Sequence, residues 1–102
     1  MLRRSHPSDK LIVASRHVSV RNKLGLHARP AAEFVRNAKR FRSDVWLVKE
    51  GQRYSADSLI DVLRANLDCG ATVTIEARGV DAEAAVTRLE KLLEEFHQRG
   101  ED

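Results

Sequence analysis

The sequence predicts an α+β domain of two layers, a single sheet with helices packed on one of its faces. Three observations lead there. Segments that alternate apolar and polar residues, the period of a half-buried strand, are interleaved with segments whose apolar residues recur every three or four positions, the period of a helix with one buried face. The segments follow the order β-α-β-β-α-β-α, with no internal repeat and no low-complexity stretch. The 102 residues, 42% apolar and 32% charged, suffice for one core and are too few for two.

Residues 1–15 carry Ser5, Pro7 and Ser8 without a clear period and read as an N-terminal extension, with a little added strand over Leu11 to Val13. The domain proper is expected over 16–98 and a short tail over 99–102. Alternation begins with Val18 and Val20 inward and His17, Ser19 and Arg21 outward. Asn22 to Leu26 is a loop containing Gly25. From Ala28 to about Lys39, Ala31, Phe34, Val35 and Ala38 share one helical face, and Pro30 falls in the first turn, where a missing N–H costs nothing.

A strand is predicted over Asp44 to Glu50, a turn at Glu50-Gly51 and a return strand over Gln52 to Ala56, together a hairpin. Ser58 to Ala65 reads as a short helix with Leu59, Ile60, Val62 and Leu63. Ala71 to Arg78 alternates cleanly, Val73, Ile75 and Ala77 on one face and Thr72, Thr74 and Glu76 on the other. Asp81 to Gln98 is the longest helix: Ala82, Ala85, Val86, Leu89, Leu92, Leu93 and Phe96 recur at helical spacing, and Gly100 lies just past its end. It spans under three heptads, so its leucines are core rather than a zipper.

Composition excludes several classes of function. No run approaches the ~18 apolar residues of a membrane helix, and Leu11-Ile12-Val13-Ala14 is too short for a signal peptide, so a cytoplasmic protein is expected. Cys69 is the sole cysteine, expected to be small and semi-buried beside a turn glycine, and no Cys/His cluster has zinc spacing. No metal or cofactor is expected. The net charge of +3 is unevenly spread: seven basic residues stand against Glu33 between Arg21 and Arg42, and seven acids against three basic residues from Asp81 to Asp102. The positive region suits an anionic ligand, an acidic partner or nucleic acid. Nucleic acid ranks last, because Trp46 and Tyr54 are the only stacking candidates on the hairpin.

The segment Gly25-Leu26-His27-Ala28-Arg29-Pro30-Ala31-Ala32 is the candidate for chemistry, against the plainer reading of its histidine as a surface residue or weak cap. It sets a histidine at the mouth of a helix, where the first backbone N–H groups, among them those of Ala28 and Arg29, lack intrahelical partners and the helix dipole favours an anion. A neutral imidazole nitrogen is a nucleophile near neutral pH and can take a phosphoryl group. Arg29 offers a forked cation for phosphate oxygens. Gly25 lets the backbone come close. His6, His17 and His97 are read as exposed and without a chemical role.

Followed by Phe34-Val35 and Ala38-Lys39, this segment resembles HPr, the histidine-containing phosphocarrier family of the phosphoenolpyruvate-dependent sugar phosphotransferase system. The resemblance runs from about His17 to Phe96 and includes Ser55-Ala56-Asp57-Ser58-Leu59, the Gly70 turn, Thr72-Val73-Thr74-Ile75 and the last helix. It implies an open-faced β-sandwich, a four-stranded antiparallel sheet covered on one face by three helices. It implies that His27 accepts a phosphoryl group on Nδ1 from enzyme I and passes it to IIA-type acceptor domains, with Arg29 binding the phosphoryl oxygens. The protein would then be a stoichiometric relay rather than a turnover enzyme, and a monomer. Leu59, Ile60, Leu63 and Arg36 would meet its partners.

Ser58 falls where many members of the family carry a regulatory serine, the target of HPr kinase/phosphorylase. Ser58-Leu59-Ile60-Asp61 also has the form of a capping box, with Asp in place of Glu. Asp61, Arg64 and Asp68 make this helix more charged than is usual in the family. A second reading is therefore a regulatory module of the same fold, acting through Ser58 or docking in a shortened or nitrogen-related pathway. The intact His27-Ala28-Arg29-Pro30 set favours the carrier.

Overall fold

The computed structural model describes residues 12–99. The elements are β1 (Val13–Ser19), α1 (Ala28–Ala38), β2 (Asp44–Lys49), β3 (Gln52–Ser55), α2 (Leu59–Arg64), β4 (Thr72–Arg78) and α3 (Ala82–Gln98). The expectations for Leu11, for His6 and most of the extension, and for Gly100 and the tail beyond Arg99 concern positions outside the described residues.

The four strands form one antiparallel sheet in the order β1-β4-β2-β3. Val45 and Leu47 of β2 and Val73, Ile75 and Ala77 of β4 point to the face that the helices cover, and all five are buried. Ala31, Phe34, Val35 and Ala38 of α1 and the seven predicted apolar positions of α3 close the core from the other side. The opposite face stays open. There Trp46 lies under Arg53, 4.1 Å from its guanidinium carbon, and Arg53 also pairs with Glu76 at 2.8 Å. The architecture is an open-faced α+β sandwich.

β1 is longer than the alternation from His17 indicates. It begins at Val13, within the stretch read as extension, and pairs Val13 with Arg78 and Ala14 with Ala77. Arg16 occupies an inward register position opposite Ile75, which masks the apolar period. It is accommodated because Glu83 and Glu90 of α3 receive its guanidinium at 2.5 and 3.5 Å.

The segment between α1 and β2 is tied to the start of α3 by Asp81. Asp81 precedes α3 but makes no side-chain cap bond. Its carboxylate instead accepts from the backbone N–H of Arg42 and of Ser43, both at 2.9 Å, and from the Ser43 hydroxyl at 2.5 Å. Partial desolvation pushes this carboxyl up, but the bonds from the Ser43 hydroxyl and the two N–H groups outweigh it and hold it below the ordinary value. A carboxyl depressed on folding stabilises the fold above its unfolded value, and that contribution is lost as pH falls through the folded value. Asp81→Ala is therefore expected to cost about 1–3 kcal/mol near neutrality. Urea unfolding across the acid limb should show the gap to wild type closing as pH falls. A constant gap would remove Asp81 from the acid response.

Candidate functional site

The site is built on a loop that closes on itself before α1 begins. Gly25 N–H donates to the Asn22 carbonyl at 2.9 Å, and the buried Asn22 amide donates to the Gly25 carbonyl at 2.7 Å. Gly25 has φ +68°, and a Cβ there would stand 2.4 Å from the Leu67 carbonyl oxygen. The next residue uses that same oxygen: Leu26 N–H donates to it at 2.9 Å, with the Leu26 side chain buried. The loop is thus pinned to the chain that leaves α2. Sequence reasoning missed Asn22 and Leu67; the Asn-x-x-Gly spacing was the available signal for the first.

His27 follows as the N-cap residue of α1, with extended backbone (φ −79°, ψ −171°) and a carbonyl that accepts from Ala31 N–H at 2.9 Å. Its side chain makes no cap bond. The imidazole is half-buried, and its Nε2 is enclosed without a hydrogen-bond partner. A nitrogen sealed in this way is closed to an incoming reagent. Ala28 and Arg29 supply backbone N–H groups of the first turn that have no intrahelical acceptor. The turn holds no acidic residue, so nothing on it competes with a bound anion.

Arg29 is exposed, and its guanidinium makes no hydrogen bond or ion pair with another described residue. It opens on a groove of about 380 Å³ lined by Ala28, Ala32, Glu33, Arg36 and Arg99. The single acid there, Glu33, is engaged by Arg99 at 3.1 Å. Arg36 stands exposed in the last turn of α1.

Ser58 caps α2: its hydroxyl accepts from Asp61 N–H at 3.1 Å. The reciprocal half of the predicted capping box is not formed. The Asp61 side chain is one methylene shorter than Glu, and its oxygens accept instead from Ser55 N–H at 3.3 Å and from Arg64 at 3.2 Å. Lys49 closes the other end of α2, its Nζ donating to the carbonyls of Ala65 (3.0 Å) and Asn66 (2.8 Å). Leu59, Ile60 and Leu63 are exposed, as is Leu24 in the loop before His27. Sequence reasoning had not singled out Leu24.

Away from the site, Cys69 is exposed rather than semi-buried, its thiol directed at the Arg21 carbonyl at 3.7 Å. His17 is exposed and shares a 2.8 Å hydrogen bond with the Thr74 hydroxyl. Among the described residues no helix is long and apolar enough to cross a membrane, and no cluster of His, Cys, Asp and Glu could hold a metal ion.

A family model described as "PTS HPr component phosphorylation site" matches residues 14–95. The chain is 42% identical over 78 residues to the HPr-like protein Crh of Bacillus subtilis, covering 76% of this chain and 92% of that protein. It is 39% identical over 82 residues to the phosphocarrier protein HPr of Vibrio cholerae, covering 80% and 96%. Among solved structures, the phosphocarrier protein HPr from Bacillus anthracis superposes with a TM-score of 0.75 at 36% identity, covering 78% of this chain and 95% of that one.

Proposed function

The chain belongs to the HPr family of the phosphotransferase system, and from that premise we propose that His27 Nδ1 is its phosphoryl-accepting atom. The observation that carries this reading is the histidine at the start of α1 with Nε2 enclosed. Nδ1 then meets the donor in the field of the helix N-terminus. The phosphoryl group would pass from phosphoenolpyruvate to enzyme I, from enzyme I to His27, and from His27 to an IIA-type acceptor. In each transfer the P–N bond forms or breaks as the partner's bond to phosphorus breaks or forms. Arg29 binds the equatorial oxygens as charge spreads over them, together with the N–H groups of Ala28 and Arg29. Leu59, Ile60 and Leu63 supply apolar docking surface, and Arg36 attracts acidic partners.

Incubation with a cognate enzyme I and phosphoenolpyruvate tests this. Acid-labile, base-stable phosphate is expected on the wild type, and absence of label with a competent enzyme I would end the carrier reading. Arg29→Glu is expected to fold normally and to accept phosphate about 100-fold more slowly, the scale of removing one aligned charge-stabilising donor. An unchanged rate would take Arg29 out of the site.

A second reading is favoured by one feature: the Ser58 hydroxyl sits at a helix start beside the exposed Leu59 and Ile60. A phosphate there is tolerated by the helix and places a dianion on the apolar docking surface. HPr kinase/phosphorylase with ATP is expected to give acid-stable phosphate lost in Ser58→Ala. Without that label Ser58 is a cap alone, worth about 1 kcal/mol.

A further inference from the structure

The geometry points to a second anion site, distinct from His27, in the groove where the C-terminal turn of α1 faces the middle of α3. This groove of about 570 Å³ is lined by Glu33, Arg36, Asn37, Lys39, Arg40 and Arg88, within the range of small-molecule sites. Four of the six residues are cationic, and the one acid among them is engaged by Arg99.

One of these cations is held in place. Asn37 is buried on the α1 side, its amide donating to the Glu33 carbonyl at 2.9 Å. That fixes the amide so that its oxygen accepts from Arg88 Nε at 3.4 Å, while Arg88 Nη1 reaches Glu95 at 3.2 Å. Two tethers thus orient the Arg88 guanidinium and leave Nη2 available. The side chains of Arg36, Lys39 and Arg40 make no hydrogen bond or ion pair with other described residues. Such a set of like charges repels itself until an anion neutralises it. A guanidinium held in place with Nη2 open, beside three adaptable cations, suits a ligand with several phosphate charges close together.

The occupant is a multiply phosphorylated small molecule. Glu95, which pairs with Arg88 at 3.2 Å, sets an acid next to the groove and disfavours an extended polyanion. Trp46 lies on the open sheet face, and Tyr54 also belongs to the β2-β3 hairpin, so no aromatic residue lines the groove to stack a base. Because Arg36 also belongs to the side that attracts acidic partners, a bound polyanion would weaken their docking.

Titration with inorganic pyrophosphate at low ionic strength, followed by amide chemical shifts, tests the site. Saturable shifts are expected at residues 36–40 and around Arg88, and they should persist in His27→Ala, which separates this site from the carrier reading. Arg88→Gln should weaken binding about tenfold, the loss of one charge-assisted contact. Arg53→Gln, on the open sheet face, should leave affinity unchanged. Any of four results would overturn the proposal: shifts that never saturate, shifts centred on Ala28 and Arg29, equal affinity in Arg88→Gln, or tighter Arg88-dependent binding of a single-stranded RNA oligonucleotide.

Discussion

His27→Ala is expected to abolish phosphoryl acceptance and to leave the domain as stable as the wild type. These outcomes are separable because the ring contributes little to the fold. It makes no cap bond, and its enclosed Nε2 has no partner. A buried polar atom without a hydrogen bond is a cost to the folded state, so its removal offsets the packing lost with the ring. Thermal unfolding should place the variant within about 1 kcal/mol of wild type. Mass spectrometry after incubation with enzyme I and phosphoenolpyruvate should find no acid-labile phosphate. Equal labelling of both proteins would move the acceptor to another residue.

Gly25→Ala has the second large effect, and it acts on stability and transfer together. A left-handed φ alone costs an L-residue roughly 1–2 kcal/mol. Gly51, at φ +81° with open space around it, isolates that term, and Gly51→Ala should show it without altering transfer. At Gly25 the same strain is joined by a Cβ 2.4 Å from the Leu67 oxygen and 2.9 Å from the Asp68 Cα, both backbone atoms. Relief requires the loop to withdraw from Leu67, breaking the Leu26 bond that places the next residue, His27. A total loss above ~2 kcal/mol is expected, with a lower phosphorylation rate even at temperatures where the variant is folded. Denaturant titration of both glycine variants gives the difference directly, and equal losses would mean that the Leu67 contact does not hold the loop.

Much of this was legible in the sequence, for reasons that also mark the limits. α1, α3 and β4 each bury one clean face, so periodicity located them to within a residue or two. The start of β1 was obscured by Arg16, an inward position that makes sense only once Glu83 and Glu90 of α3 are beside it. Asp81 sits where a helix cap is expected, yet its bonds go to Arg42 and Ser43 across the fold. Pro30 was visible as a helix start, and the structure places His27 at its N-cap. What holds that segment is non-local: the Gly25 conformation answers to Leu67, some forty residues along the chain. Local pattern cannot report an acceptor supplied from so far away.

The sheet order has a consequence for how the protein comes into being. The first described strand pairs with the last, and residues bonded across β1 and β4, such as His17 and Thr74, are 57 apart in sequence. Closing so long a loop is entropically slow and is rewarded only when β4 has been made. During synthesis from the N-terminus, His27 leaves the ribosome well before Leu67 and β4, the parts that anchor its loop and seat its strand. The histidine proposed as the carrier is therefore chemically present early and geometrically competent late. A nascent or truncated chain would expose the residue without the site, and acceptance of a phosphoryl group would report a finished fold.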